Sequence, residues 1–240
     1  MKPILCFCLC LLSVSGFCQV KVGVQAGYNY TTFLGKNRYS AYSYYYSVSS
    51  LPAFNAGIIS SIPVFKRVSL QPSLLLSEKG AKEISQGEFS PLFHTHLRIY
   101  YAHLPVQIMY TFINKKQWYV SAGGGGFISK GIWGTSNIKY HEYGDTAGIL
   151  VTSKKNKVNF TNDLYNYNSN KRNVKPWDYG YTVAAEAGWQ HWQLKAAYDF
   201  GVVEIIDHQE HRTGVFSLSA GYYFTKKKKE AQKDRSKPNL

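Results

Sequence analysis

The amino-acid sequence predicts an all-β fold: an eight-stranded antiparallel up-and-down barrel that spans a membrane. Three observations predict it. Eight segments alternate large apolar residues with small or polar ones at a period of two, the pattern of a strand with one apolar face. The connections between these segments alternate between short and long. The polar faces carry mostly Gly, Ser, Thr and Ala, whereas a sheet facing water would carry many Lys and Glu.

The chain has 240 residues, a net charge of +14 and an aromatic share of 16%. Beyond the N-terminus no apolar run approaches the roughly 20 residues of a membrane helix. A barrel escapes that criterion, because only every second residue meets lipid. Residues 1–18 read as a signal peptide: Lys2, then the apolar run Ile4 to Val14, then Ser15 and Gly16. All four cysteines (Cys6, Cys8, Cys10, Cys18) lie in it, so the exported chain is expected to form no disulfide and no thiolate metal site.

The barrel is expected over 19–224. Its first strand, Val20 to Phe33, sets Val20, Val22, Val24, Tyr28 and Tyr30 against Gly23, Gln25, Gly27 and Asn29. The second runs from Ala53 to Ile62. The third, Val68 to Ser77, contains Pro72, which cannot donate to a ladder and marks a weak point or a bulge. The fourth runs from Leu97 to Phe112 and the fifth from Gln117 to Ser129. The sixth is Asp178 to Gln190 and the seventh His191 to Val203. If they turn at Gln190 and His191, Trp189 faces Trp192 and Glu186 faces Lys195. The eighth, Arg212 to Phe224, must close onto the first.

Short turns fall at Pro63–Arg67, Ile113–Lys116 and Gln190–His191. Leu34–Pro52, Glu78–His96 and Lys130–Trp177 read as long loops, and Glu204–His211 as an intermediate one. Short turns on the periplasmic side and long loops outside are the layout of an outer-membrane barrel. Trp118, Trp189, Trp192, Tyr222 and Phe224 flank the short turns; Tyr28, Tyr30, Tyr100, Tyr179 and Tyr181 lie toward the loops. These make two aromatic belts at the headgroup levels. Residues 225–240 have no apolar period and read as a basic, disordered periplasmic tail.

With KVGVQAGYNYTTF at the start, LPVQIMYTFINKKQWYVSAGGG in the middle and SLSAGYYF at the end, the chain resembles the small outer-membrane β-barrel domains of Gram-negative bacteria. It is similar to the PorT-like porin family and OmpA/OmpX-like in size. The resemblance implies an outer-membrane location, delivery by the barrel-assembly machinery through the terminal aromatic, and contact with outer-membrane lipids and lipopolysaccharide. It implies a monomer, and an exported chain has no nucleic-acid partner.

No catalytic, cofactor-binding or metal residue is assigned. Gly123 to Gly126 lacks the Gly-Lys-Ser/Thr of a phosphate loop and reads as close packing or a bend. His94 and His96, with His208, Glu210 and His211, offer imidazoles on two loops that could share a metal, or merely solvated histidines. Glu186, Lys195 and Asp199, with His103, fall on polar faces and read as a structural salt-bridge cluster within a filled lumen. The expected function is therefore structural or surface-binding, carried by the loops; the alternatives are a porin-like conduit or an enzyme acting on lipid A. Among the loops, the tyrosine-rich Ser40–Ser47 and the lysine-rich Lys130–Trp177 are the candidate binding surfaces.

Overall fold

A computed structural model describes residues 20–35, 45–86, 92–143, 149–162, 171–206 and 211–224. The expected signal peptide and tail, and most of the tyrosine-rich loop, lie outside the described residues. The strands are β1 (Lys21–Leu34), β2 (Tyr45–Ser49), β3 (Leu51–Phe65), β4 (Val68–Gln86), β5 (Leu92–Asn114), β6 (Trp118–Tyr143), β7 (Ile149–Phe160), β8 (Lys171–Val174), β9 (Trp177–Trp189), β10 (Trp192–Gly201) and β11 (Arg212–Phe224).

Eight of them close a ring. β1 pairs β3, β3 pairs β4, β4 pairs β5, β5 pairs β6 and β6 pairs β9. β9 then pairs β10, β10 pairs β11, and β11 returns to β1, all antiparallel. The closing register sets Val22 opposite Phe224 and Leu34 opposite Arg212. Trp189 faces Trp192 and Glu186 faces Lys195, as the two-residue turn requires. Gln190 adopts φ 55° at that turn, a left-handed backbone that glycine would occupy without strain.

The faces are inverted relative to a water-soluble protein. Ile58 is 56% exposed, Ile108 59% and Leu218 47%, whereas Asn29 is 1% exposed, Gln107 2% and Thr182 1%. Apolar side chains outside and polar ones inside suit a lipid solvent. Between the Trp118, Trp189 and Trp192 rim and the Trp177 rim, β9 makes a band about 28 Å tall, taking ~3.3 Å per residue and a tilt of ~45°.

Glycines let backbones approach inside the wall. A Cβ at Gly123 would lie 1.9 Å from Ile108 O, and one at Gly125 1.9 Å from Val106 O. Close packing is therefore the role of this run. Pro72 coincides with gaps in both ladders of β4, between Ser73 and Leu70 on the β3 side and after Pro72 on the β5 side; its carbonyl accepts from Ser60 Oγ at 2.8 Å.

The long connections depart from the expected loops. β4 continues to Gln86 and β5 starts at Leu92, so Glu78–His96 is mostly strand. β6 runs on to Tyr143, and β7 takes over its free edge above the point where β9 ends. β8 pairs β7 in parallel, and β2 pairs the far end of β4. The barrel thus rises on one side as a wall, at the end opposite the short turns. These strands were hidden in sequence because neither face meets lipid, so the apolar alternation stops while the ladder continues.

Candidate functional site

Three features could carry a function: the lumen, its mouths, and the wall. The lumen is filled in tiers. Nearest the short turns, Glu186 Oε1 accepts from Gln71 Nε2 at 2.8 Å, and Gln193 Nε2 donates to its other oxygen. Lys195 Nζ donates to Gln71 Oε1 at 3.2 Å. The expected direct contact of Glu186 with Lys195 is therefore corrected. The register places them opposite, but Gln71, reaching across from β4, bridges the two charges.

The middle tier joins Asp199 Oδ2 to His103 Nε2 at 3.2 Å and His103 Nδ1 to Ser129 Oγ at 2.8 Å. Gln107 Nε2 donates to Thr182 Oγ1 at 2.9 Å beside them. In the upper tier Lys79 Nζ lies 2.8 Å from Asp178 Oδ2, donates to Ser129 Oγ at 3.2 Å, and stands 4.4 Å over the Phe127 ring. Thr213 Oγ1 donates to the same Asp178 oxygen at 2.9 Å. A buried charge persists only with partners, and each of these has them. All four residues expected in the lumen cluster are there. Sequence reasoning missed Lys79 and Asp178: the first was read into a loop, and the second stood at a strand end with no visible partner.

Ser129, His103 and Asp199 form a connected Ser–His–Asp row, the connectivity of a hydrolase triad. They are 1%, 3% and 8% exposed. The cavity beside His103 and Asp199 measures about 30 Å³, room for a water or two and for no substrate.

Above the polar tiers the lumen is closed by an apolar plug. Val174 of β8 and Ile205 and Ile206 of the β10–β11 connection pack onto Phe33, Leu97, Ile99 and Tyr101. Lys175 N donates to Ile205 O at 3.0 Å, and Arg172 Nη2 reaches both oxygens of Glu83 at 3.0 and 3.3 Å, tying β8 to β4 across the mouth. His211 stacks on Phe33 at 5.6 Å between ring centres. The mouth at the short turns is a vestibule of about 170 Å³, rimmed by Lys21, Lys66 and Arg67 and ending on Glu186 and Gln71.

The outer face of the wall is basic. Directly opposed residues form rows across β4, β5, β6 and β7. The lowest is Gly80, Arg98, Thr135 and Lys157; the next is Lys82, His96, Asn137 and Lys155; the third is Ile84, His94, Lys139 and Ser153. Seven of these twelve positions are Arg, Lys or His and none is acidic. Burial, then the repulsion of Lys82, Lys139, Arg98 and His94, holds the His96 imidazole below its ordinary range. Just beneath, Glu78 takes Arg98 Nη1 at 2.9 Å, and Tyr100 stacks on Trp133 at 4.6 Å.

The two imidazole groups considered for a metal stand apart. His94 and His96 lie on the outer face of the wall, while His211 is buried in the mouth on Phe33; His208 and Glu210 lie outside the described residues. Among the described residues no three His, Cys, Asp or Glu side chains gather to hold a metal ion.

A closed ring with an apolar exterior, a polar filled lumen and aromatic rims defines an outer-membrane β-barrel. The chain belongs to the outer membrane protein beta-barrel domain family, which it matches over residues 17–207, and it resides in the outer membrane of the Gram-negative envelope. No functionally curated protein matches it significantly. Among solved structures it is similar to Ail, the attachment invasion locus protein of Yersinia pestis, with 11% identity, 86% of this chain and 99% of that one covered, and a TM-score of 0.39. It is similar to Neisserial surface protein A, with 11% identity, 85% and 97% coverage and a TM-score of 0.40. It is similar also to the outer membrane protease OmpT of Escherichia coli, with 9% identity, 85% and 96% coverage and a TM-score of 0.35.

Proposed function

We propose that this barrel is neither a conduit nor an enzyme but a scaffold that displays its wall at the cell surface, where the basic outer face binds anionic groups. The observation that supports this best is the double seal of the lumen. The side-chain tiers around Gln71, His103 and Lys79 fill it, and Val174, Ile205 and Ile206 cap it. An ion would have to break buried, charge-assisted hydrogen bonds and then displace an apolar core. The Ser129–His103–Asp199 row serves the same end, holding β5, β6 and β10 together rather than receiving a substrate.

Planar-bilayer recording of the full chain tests the closed lumen. Silence is expected; steady openings would refute it and favour the conduit. Two measurements test the absence of catalysis: fluorophosphonate labelling of Ser129 and the mass of lipid A from cells that overproduce the protein. Neither label nor mass change is expected, and either would revive the hydrolase reading.

A further inference from the structure

We propose that a phosphorylated glycolipid of the outer leaflet binds along the outer face of β6, its phosphates on the basic rows of the wall and one acyl chain in an apolar groove below them. The inference rests on the wall being the working part of the molecule. It adds which lipid chemistry binds, and where.

The basic rows start where the lipid-facing band ends. The outward column of β6 below the wall is Gly124, Gly126, Ile128 and Lys130, opposite Val183, Tyr181, Tyr179 and Trp177 of β9. On its other side stand Ile108, Val106, Leu104 and Ala102 of β5. Lys130 lies at the upper rim with its Nζ 5.4 Å from the centre of the Trp177 ring. Trp133, 46% exposed, follows at the irregularity where Tyr100 and Tyr101 pair Trp133 and Gly131. Above it come Arg98 and Lys157, then Lys82, His96 and Lys155. Headgroup phosphates stand at the level of an aromatic rim, so Lys130, Arg98 and Lys157 are within their reach.

Beneath Lys130 the wall is hollowed. A groove of about 600 Å³ opens to the lipid, with Gly126 in its floor, Val106, Ile108 and Tyr181 along its sides, and Ile128 and Tyr179 above. Its floor at Gly126 is four residues below Lys130, about 13 Å along the strand, and its upper end at Ile128 is two residues below. Any leaflet lipid could lay a chain there, and any dissolved polyanion could meet the cations. Only a lipid with phosphates at its head gains both at once, because the apolar, aromatic and cationic zones follow one another up a single strand in the order of an acyl chain, its interface and its headgroup. Each Lys or Arg close to anionic headgroups strengthens binding about fivefold.

The test uses the full chain in nanodiscs of zwitterionic phosphatidylcholine containing a few per cent of bis-phosphorylated lipid A, with native mass spectrometry counting the lipid retained. The wild type is expected to keep one lipid A molecule and to discard lipid A stripped of phosphate. Lys130→Gln with Lys157→Gln should weaken retention about 25-fold. Gly126→Leu should weaken it with every charge intact. A Cβ there meets only Gly180 O at 3.5 Å, an ordinary contact, so the variant is expected to fold, as heat-modifiable gel mobility would verify. Equal retention by wild type and either variant overturns the proposal. So does dextran sulfate binding unaffected by Gly126→Leu without lipid A retention, which would assign the basic face to a soluble polyanion. A conducting barrel would defeat the closed-lumen reading yet leave these retentions as they are, so the two failures are distinct.

Discussion

Leu218→Arg tests the inverted faces most directly. Leu218 is the middle residue of β11, six from each end, and its side chain is 47% exposed. It stands between Tyr28 of β1 and Ala196 of β10 on the outer surface. In a barrel surrounded by water, an arginine at so open a position would change stability by no more than about 0.5 kcal/mol. In lipid the nearest headgroup level is about 14 Å away, half the height of the apolar band, too far for the guanidinium to snorkel fully. The expected loss is about 2–4 kcal/mol. Ser217→Ala is the control: it is part-buried, turned inward, and gives up a single 3.4 Å bond to Ala197 O, so it should cost less than about 1 kcal/mol. The assay is reversible urea unfolding in lipid vesicles, followed by tryptophan fluorescence and by gel mobility without heating. A Leu218→Arg loss within ~0.5 kcal/mol, or a larger loss for Ser217→Ala, would refute the lipid-facing assignment of this strand.

Three further outcomes follow from other parts of the molecule. Lys79→Met leaves Asp178, which is 0% exposed, without its cation; it should cost about 3–5 kcal/mol, and adding Asp178→Leu should recover much of that in a double-mutant cycle. Gln190→Gly removes a side chain from a φ of 55° while keeping the bond from its N–H to Gln117 O, so urea titration should show a gain of about 1 kcal/mol. His96 lies outside the lipid, and its folded-state pKa is lowered from 6.5, first by burial and then by Lys82 and Lys139. The folded wall therefore binds fewer protons than the unfolded chain just below pH 6.5; its stability is whole above that value and declines as pH falls through the lowered pKa. The protection factors of the β4 and β5 amides, taken against the intrinsic exchange rate at each pH, should fall on acidification, less so in Lys82→Gln, and an unchanged response in that variant would count against the charge coupling.

Much of this barrel was legible because lipid imposes a local rule. Every second residue from Val20 to Tyr30, or from Phe216 to Phe224, must be apolar to face the bilayer, and the intervening ones must be small or polar to fit the lumen. The β9–β10 register was legible for a similar reason, since a two-residue turn admits one pairing. The wall was not. SEKGAKEISQ and KKNKVNF lie in β4 and β7, beyond the bilayer, where no solvent demands an apolar face. Of the lumen cluster, His103, Glu186, Lys195 and Asp199 could be placed on inward faces, but their partners could not be chosen.

Local alternation was enough to specify the architecture and the location: eight lipid-facing strands, two aromatic rims and a lumen of small and polar side chains. Tertiary structure decided what fills and what crowns it. Gln71 meets Glu186 from 115 positions away, and Lys79 meets Asp178 from 99. Val174 and Ile205 reach one plug from separate connections. Alternation is set by neighbours two residues apart. Which inward side chains meet depends on how far each strand is sheared against the next when the ring closes, and that is a property of the whole circuit rather than of any one strand.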